Sequence, residues 1–183
     1  MTNRNLDTVL RSRMTEEEQE RYDAYNKYYG NRDYLFDLNS IPTGSGGFGY
    51  TIPTDALSDP QFAKMIREAE KYLGVPYVWG GYSPSGFDCS GFVSWVINNC
   101  GNGWNIGRCT ADGLRSHCSQ VSPSEAKPGD LIFFQGTYNT SGASHVGIYV
   151  GNGMMIHCGD PISYTSINST YWQSHFLGFG RIN

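Results

Sequence analysis

The sequence predicts an α+β domain in which N-terminal helices pack on an antiparallel β-sheet. Two observations carry this prediction. Apolar residues recur at helical spacing between about residues 60 and 99, and strand-like segments then follow one another between about residues 130 and 182. Helices first and consecutive strands afterwards are typical of an α+β domain. With 39% hydrophobic and 14% aromatic residues, the chain has the composition of a packed globular protein.

The first predicted helix begins after Ser58 or Asp59, either of which is a favourable N-cap, and has Pro60 in its first turn. Its apolar face consists of residues spaced by three and four: Phe62, Met65, Ile66, Ala69, Tyr72 and Leu73. Gly74 and Pro76 are expected to end this helix.

A second helix is expected from about Asp88 to Asn99, with Gly101 just past its end. Its buried positions are Phe92, Val93, Val96 and Ile97. Cys89 therefore lies in the first turn of a predicted helix.

Four later segments have the β-branched and aromatic composition of strands: residues 130–134, 145–150, 153–158 and 176–182. The sequence Gly151-Asn152-Gly153 predicts a tight turn that joins the middle two strands as a hairpin.

The chain is predicted to divide into an N-terminal helical segment with a linker, residues 1–55, and a main domain, residues 56–183. Nearly half of the charged side chains lie among the first 40 residues, whereas residues 39–55 are rich in Gly, Ser, Thr and Pro. This change in composition indicates a domain boundary.

The N-terminal segment carries a capping-box pattern at Thr15 and Glu18, and Gly30 would end the helix. One face of this helix is aromatic and consists of Tyr22, Tyr25 and Tyr29. These tyrosines either bind sugar or pack on the main domain or on a neighbouring domain.

Charge and hydropathy argue against two kinds of partner. A formal net charge of -4 and a pI near 5.5 provide no basic surface for nucleic acid. No apolar run approaches the roughly 18 residues that a membrane span needs, and the first thirty residues lack the apolar stretch of a signal peptide. We therefore expect neither nucleic-acid binding nor membrane insertion.

The five cysteines are Cys89, Cys100, Cys109, Cys118 and Cys158, an odd number that leaves at least one thiol unpaired. The nine-residue spacings in the middle of this series differ from those of zinc-binding pairs. The three cysteines in this middle segment either include a disulfide or are buried reduced thiols.

Cys89 is the candidate free thiol because a helix N-terminus lowers the pKa of cysteine from ~8.5 to about 3.5–7.5 in reactive sites. Asp88 and Ser90 beside it can satisfy exposed backbone donors of the helix, and Gly91 is expected to keep the approach to the thiol open. The position favours a nucleophile, although most cysteines are small buried hydrophobic residues.

A thiol nucleophile needs a histidine base, and the base needs a partner that fixes its tautomer. Folding about the predicted turn places His157 opposite Gly147, two residues from His145. The two imidazoles are then diagonal neighbours on one face of the sheet. We predict that His145 is the base and that His157 orients it; a metal site and satisfied structural histidines are the alternatives.

The main domain resembles the NlpC-type peptidases of bacterial cell walls, a papain-like family, over roughly residues 60–183. Five ordered segments carry the resemblance: YLGVPYVWGG at 72–81, GFDCSGFVSWV at 86–96, KPGDLIFF at 127–134, SHVGIYVGNGMMIHC at 144–158 and GFGRI at 178–182. The resemblance implies the papain-like, NlpC-type variant of the α+β fold. It also implies Cys89 as nucleophile, His145 as base and His157 as the third polar residue.

The resemblance further implies which residues contact the substrate. Tyr77 would line the site and help to fix the substrate and the oxyanion. Asp88, Ser90, Arg108 and Thr110 would lie near amino or carboxylate groups of the substrate. For Asp88 and Ser90, a purely structural role as helix caps is the alternative.

The implied function is cell-wall hydrolysis by a cysteine endopeptidase that cleaves peptidoglycan stem peptides between γ-D-glutamate and diaminopimelate or lysine, without a metal or other cofactor. A related cysteine amidase or acyltransferase, or a catalytically silent wall-binding module, is the alternative. The substrate implies an extracellular or wall-associated location as part of a longer exported protein with neighbouring domains. If the chain is complete, cytoplasmic recycling of wall peptides is the alternative.

Overall fold

The computed structural model describes residues 50–183, which all fall within one compact unit of the chain. The predicted N-terminal helix with its tyrosine face lies outside the described residues. Ile52 is buried in the core, and the ring of Tyr50 lies 5.0 Å from that of Tyr164. The last residues of the predicted linker therefore pack with the main domain, while the boundary itself stays a prediction.

The helices of the described region are a 3₁₀ turn at Ala56–Ser58, α1 at Pro60–Glu70, α2 at Cys89–Asn99, α3 at Ala111–Ser116 and α4 at Thr170–His175. Asp59 caps α1 by accepting hydrogen bonds from the N–H groups of the next turn. The helix ends three residues before the predicted end at Leu73. Gly74, at φ +85°, instead turns the chain toward the sheet and donates its N–H to Ile162.

The strands form a two-stranded and a six-stranded sheet. The small sheet pairs β1, Tyr82–Ser83, with β2, Gly86–Phe87. The large sheet contains β3 at Cys118–Val121, β4 at Leu131–Gln135, β5 at Ala143–Gly151, β6 at Met154–Cys158, β7 at Ile162–Ser166 and β8 at Phe176–Ile182. Their order is β3-β8-β4-β5-β6-β7, and every neighbouring pair is antiparallel. The predicted α+β class and all four predicted strands are confirmed, whereas β3, β7, α3 and α4 were not predicted.

The hairpin between β5 and β6 has the predicted pairing. Ile148 lies opposite Ile156, and the turn residue Asn152 has φ +52° between two glycines that also have positive φ. Asparagine and glycine adopt this left-handed conformation at little cost. The turn therefore sets the alignment that the sequence predicted.

The central strands of the large sheet, β4, β5 and β6, are buried on both faces. Alternate residues of β4 and β5 point toward α1 and α2, where they join an apolar core that includes Phe62, Phe92, Val96, Phe133 and Val146. The opposite face forms a smaller cluster with Trp172 of α4, which includes Ile132, Phe134 and Met155. Burial of each large apolar side chain contributes about 1.5–3 kcal/mol, so this packing holds the strand ends in place.

An ion pair joins two of the five sequence segments at the far end of the sheet. Arg181 donates to both carboxylate oxygens of Asp130, at 2.7 and 2.8 Å, and the Asp130 side chain is 1% exposed. The KPGD and GFGRI segments therefore have a structural reason to occur together. Among the described helices, none reaches the length and apolar character that a bilayer crossing requires.

Candidate active site

Cys89 is the first residue of α2, as the sequence predicted. Asp88 precedes it in an extended conformation and caps the helix by accepting the N–H of Gly91 at 2.6 Å. The Cys89 side chain is largely buried, at 7% exposure of the residue. The cap fixes the direction of the first turn and hence the position of the thiol.

Asp88 joins most of the residues that were predicted to contact the substrate. Its Oδ1 also accepts from the hydroxyl of Ser90 at 3.3 Å, and its Oδ2 accepts from Gly80 N–H at 3.0 Å and from the guanidinium of Arg108 at 2.6 Å. Asp88, Ser90 and Arg108 thus form one polar network beside the thiol.

Thr110 lies outside this network. It is exposed and caps α3, where its hydroxyl accepts the N–H of Gly113 at 3.0 Å. The structure therefore gives Thr110 a structural contact, and its contact with substrate stays a prediction.

Gly91 lies in close contact with the backbone of the preceding loop. A Cβ atom at this position would lie 2.0 Å from the carbonyl oxygen of Gly81 and 2.9 Å from Asp88 Oδ1. Gly81 in turn accepts the N–H of Asp88 at 3.2 Å. The glycine admits the backbone of the preceding loop against the helix start, and its expected effect on the approach to the thiol stays a prediction.

His145 and His157 meet on one face of the sheet, as predicted from the hairpin. His145 Nε2 lies 2.8 Å from His157 Nδ1, and the two residues are 1% and 3% exposed. A Cβ atom at Gly147 would lie 3.1 Å from His157 Cβ, which places these two residues side by side on neighbouring strands. Two strands joined by one short turn therefore bring the imidazoles together.

Two residues that the sequence analysis missed hold this pair. The hydroxyl of Thr165, on β7, lies 3.0 Å from His157 Nε2. The Trp172 ring lies 5.1 Å from that of His145 and 5.4 Å from that of His157. The alternating pattern of residues 162–166 was a usable signal for Thr165, whereas nothing local marks Trp172.

The thiol of Cys89 lies against the backbone of β5, at the residues just before and just after His145. Cys89 Sγ is 4.0 Å from the carbonyl oxygen of Ser144, and the N–H of Val146 interacts with the sulfur. The Ser144 hydroxyl is held by Thr137 through contacts of 2.6 and 3.0 Å. Nε2 of the His145 ring is directed at His157.

Burial dominates the electrostatics of these groups. It raises the pKa of Cys89 to about 12, with a further contribution from the charge of Asp88. Burial, followed by the neighbouring His157, lowers the pKa of His145 well below its usual range, and burial lowers the pKa of His157 to about 3. The expectation that the helix start lowers the pKa of Cys89 is therefore wrong in this structure. Backbone N–H groups do act in that direction, but desolvation outweighs them.

Tyr77 lies in a segment that runs beside the nucleophile. It forms a parallel bridge with Phe87, two residues before Cys89, and its N–H donates to Asp160 at 3.1 Å. The predicted position at the wall of the site is consistent with this placement, while contact with substrate is not tested.

A pair of aromatic rings lies at the rim of the site. Trp79, which is 39% exposed, meets Tyr138 edge to face at 5.5 Å. Burial raises the pKa of Tyr138, and the nearby Cys89 and Asp88 act in the same direction. Neither ring was predicted, and the β4–β5 connection that carries Tyr138 has no motif that would have indicated it.

All five cysteines are free thiols. The three middle ones each contact a carbonyl oxygen three or four residues earlier in the chain, at 3.3–3.5 Å: Cys100, Cys109 and Cys118. The structure thus agrees with reduced thiols and contains no disulfide among them. Within residues 50–183, no group of three or more His, Cys, Asp or Glu side chains is arranged to hold a metal ion.

A cysteine at the start of a helix, packed on an antiparallel sheet that carries the histidine, is the arrangement of papain-like thiol hydrolases. The chain belongs to the NlpC/P60 family, whose model matches residues 74–181. The predicted resemblance and the α+β fold are thereby confirmed.

Several relatives are similar to the main domain. The bifunctional muramidase/DL-endopeptidase CwlT of Bacillus subtilis is 45% identical over 123 residues, which are 66% of this chain and 36% of that protein. The probable endopeptidase p60 of Listeria grayi is 42% identical over 145 residues, 79% of this chain and 26% of that protein. A crystal structure from Staphylococcus aureus, described as similar to lipoprotein and of the NLP/P60 family, matches with a TM-score of 0.64 and 41% identity, over 68% of this chain and 42% of that chain. The matched part is thus a minor portion of each relative.

Proposed function

We propose that residues 56–183 form the catalytic domain of a cell-wall hydrolase, a cysteine endopeptidase that cleaves peptidoglycan stem peptides. The observation that carries the proposal is the buried Cys89 thiol at the start of α2, lying against β5 where His145 is bonded to His157 at 2.8 Å. The names of the relatives CwlT and p60 support endopeptidase activity. The DL-endopeptidase named in CwlT supports cleavage after γ-D-glutamate, before diaminopimelate or lysine.

The proposed mechanism is acyl transfer through Cys89. His145 removes the thiol proton, and the sulfur attacks the peptide carbonyl to form a tetrahedral intermediate. As the intermediate collapses, the C–N bond breaks and His145 donates its proton to the leaving amine. His145 then activates water, which hydrolyses the thioester and restores the thiol, while His157 holds the His145 ring throughout.

Stabilisation of the oxyanion is assigned to backbone N–H groups at the start of α2 and to the hydroxyl of Tyr77. Each such donor contributes about 3 kcal/mol in comparable sites. Asp88, Ser90, Arg108 and Thr110 are proposed to contact polar groups of the stem peptide. Of these, the Arg108 side chain is 31% exposed and that of Asp88 12%, so Arg108 is the more accessible.

The proposed location is extracellular or wall-associated, within a longer exported protein whose other domains bring the catalytic domain to peptidoglycan. The chain matches only 36% of the length of CwlT and 26% of the length of the Listeria grayi p60, which is consistent with such an arrangement. Cytoplasmic recycling of wall peptides is the competing location. Fractionation of the cells that naturally produce the protein, followed by immunoblotting, distinguishes the wall-associated location from the cytoplasmic one.

The first prediction is that Cys89→Ala abolishes cleavage. Defined muropeptides are digested with wild type and with this variant, and the products are identified by mass spectrometry. Wild type should release fragments that end in D-glutamate, because the acyl group passes through Cys89. Cys109→Ala is the matched control, since it removes a half-buried thiol outside the histidine site and should leave cleavage unchanged.

Other outcomes separate the alternatives. Release of intact stem peptides would identify an amidase, and acylated products would identify an acyltransferase. Binding to sacculi without any product would identify a silent module. Equal cleavage by wild type and Cys89→Ala would refute the proposed mechanism.

A further inference from the structure

We propose that Thr165 is a positioning residue of this site: it accepts the Nε2–H of His157, so that Nδ1 of His145 carries no proton of its own and can take the thiol proton. The inference rests on the proposed function of Cys89 and His145. It adds a fourth member, on a strand that the sequence analysis missed, to the catalytic arrangement.

The geometry is a linear chain of hydrogen bonds. Thr165 Oγ1 lies 3.0 Å from His157 Nε2, and His157 Nδ1 lies 2.8 Å from His145 Nε2. A neutral imidazole has one N–H donor and one bare acceptor nitrogen. The direction of the first hydrogen bond therefore determines the direction of the second.

Only one of the two hydrogen-bond directions allows His145 to act as a base. If Thr165 accepts from His157 Nε2–H, then His157 Nδ1 is bare and accepts from His145 Nε2–H, so His145 Nδ1 carries a lone pair. If Thr165 instead donates to a bare Nε2, then His157 donates from Nδ1 to His145 Nε2. His145 would then carry its own proton on Nδ1 and could not remove that of the thiol.

Thr165 is the hydrogen-bond partner of His157 Nε2 within a buried site. The two imidazoles are almost fully buried, and Trp172 packs on both rings. Burial also keeps His157 neutral at physiological pH, because its pKa is lowered to about 3. A doubly protonated His157, which would donate in both directions, is thereby disfavoured.

The arrangement in which Thr165 accepts from His157 also suits the transfer of the thiol proton to His145. When His145 accepts the thiol proton on Nδ1, it becomes an imidazolium with N–H groups on both nitrogens. Its Nε2–H continues to donate to the bare Nδ1 of His157, which is suited to accept it. No second proton has to move, and the Thr165 contact remains as it was.

The test compares Thr165→Val, which replaces the hydroxyl by a methyl group of similar size, with Thr165→Ser, which keeps a hydroxyl. On a muropeptide substrate, Thr165→Val should lower kcat by about 10–100-fold with KM changed less than about threefold, because it perturbs the base and not the binding surface. Thr165→Ser should restore kcat to within about threefold of wild type. Ser163→Val is the matched control, because Ser163 is directly opposite His157 on the same strand and face as Thr165, and its kcat should stay within about twofold of wild type.

Nitrogen-15 spectra of the imidazoles provide a readout that needs no substrate. The chain has four histidines, so His145 and His157 can be assigned by substitution. In wild type, both should carry their proton on Nε2, and in Thr165→Val the His157 signals should change toward the other tautomer or a mixture. A wild-type His157 that is protonated on Nδ1 overturns the inference, even if Thr165→Val fails to fold. A kcat for Thr165→Val within twofold of wild type, or no rescue by Thr165→Ser, overturns it as well.

Failure of the proposed function has a different signature. In that case wild type and Cys89→Ala would behave alike on every muropeptide, whereas the imidazole spectra would still report the tautomers of the resting protein.

Discussion

At the scale of single residues, burial favours the uncharged thiol form of Cys89, the proposed nucleophile. Desolvation raises its pKa to about 12, whereas the pKa of His145 is lowered. Transfer of the proton is therefore expected to accompany substrate binding instead of preceding it. The peptide carbonyl and the oxyanion donors would then supply polar surroundings for the charged sulfur.

An uncharged thiol at Cys89 predicts slow alkylation of this residue near neutral pH. Iodoacetamide reacts with the thiolate, so the rate should be no greater than that of glutathione at pH 6 and should rise continuously up to pH 9. The measurement is mass spectrometry of the peptide that contains Cys89, which separates it from the other four thiols. A fast rate that is constant between pH 6 and 8 would instead indicate a resting ion pair with His145.

The residues of the site differ in how far the sequence predicts them. The position of Cys89 at a helix start was predictable from the capping pattern. The contact between His145 and His157 was predictable from the pairing of residues across one hairpin. Thr165 lies on β7, whose alternating pattern was not used, whereas Trp172 lies on α4, and its position depends on how that helix docks onto the sheet. Local patterns carry no information about that docking.

At the scale of elements, the start of α2 and the loop before it form one unit. The backbone of Gly81 occupies the space beside Gly91, and Asp88 bonds to both Gly80 and Gly91. The position of the thiol therefore depends on close contact between two stretches of main chain.

We predict that Gly91→Ala damages both stability and activity. Its Cβ would lie 2.0 Å from the Gly81 carbonyl oxygen, so the loop must move away from the helix. Overpacking of this kind costs about 1–3 kcal/mol of folding free energy or more, which urea denaturation measures. Muropeptide cleavage should fall further than stability alone explains, because the loop carries Tyr77.

Gly113→Ala provides the comparison, because it also adds a methyl group in the first turn of a helix. There the nearest atom is 3.2 Å away, on the flexible side chain of Thr110. We expect a change of less than about 1 kcal/mol, since alanine also favours the helix. Equal effects of the two substitutions would contradict the steric explanation.

The long elements were predictable and the short ones were not. Helices α1 and α2 each span eleven residues, enough turns for an apolar period to stand out. Helix α3 has six residues and is held from outside: Asp112 accepts the N–H of Ala143 on β5 at 3.0 Å. Such an element owes its existence to tertiary contacts, which single-sequence patterns do not contain.

At the scale of the whole molecule, buried titratable groups should confine stability to a window of pH. His157 has a folded pKa of about 3 against 6.5 for an ordinary histidine. The unfolded chain therefore binds more protons between these values, and stability is lost as pH falls below about 6.5. Cys89 and Cys118 have folded pKa values of about 12 against 9.0, so their contribution is lost as pH rises above about 9.

The acid side of this window can be assigned to single residues. Urea denaturation at pH 7 and pH 5 should give a lower free energy of unfolding at pH 5, by up to ~1.4 kcal/mol per pH unit for each buried histidine. His157→Gln should reduce this difference, whereas His117→Gln, at an exposed position, should keep it. A difference that both variants retain in full would show that His157 is not among its sources.

The turn at residues 151–153 sets the alignment of His145 with His157, the proposed base and its orienting partner. Adding or removing one residue there would send the His157 ring to the opposite side of its strand, although every side chain of the site would still be present in the sequence. A saturation library of positions 151–153 should therefore tolerate many exchanges that accept positive φ and almost no change of length. The proposed function thus makes the length of this turn a requirement for catalysis.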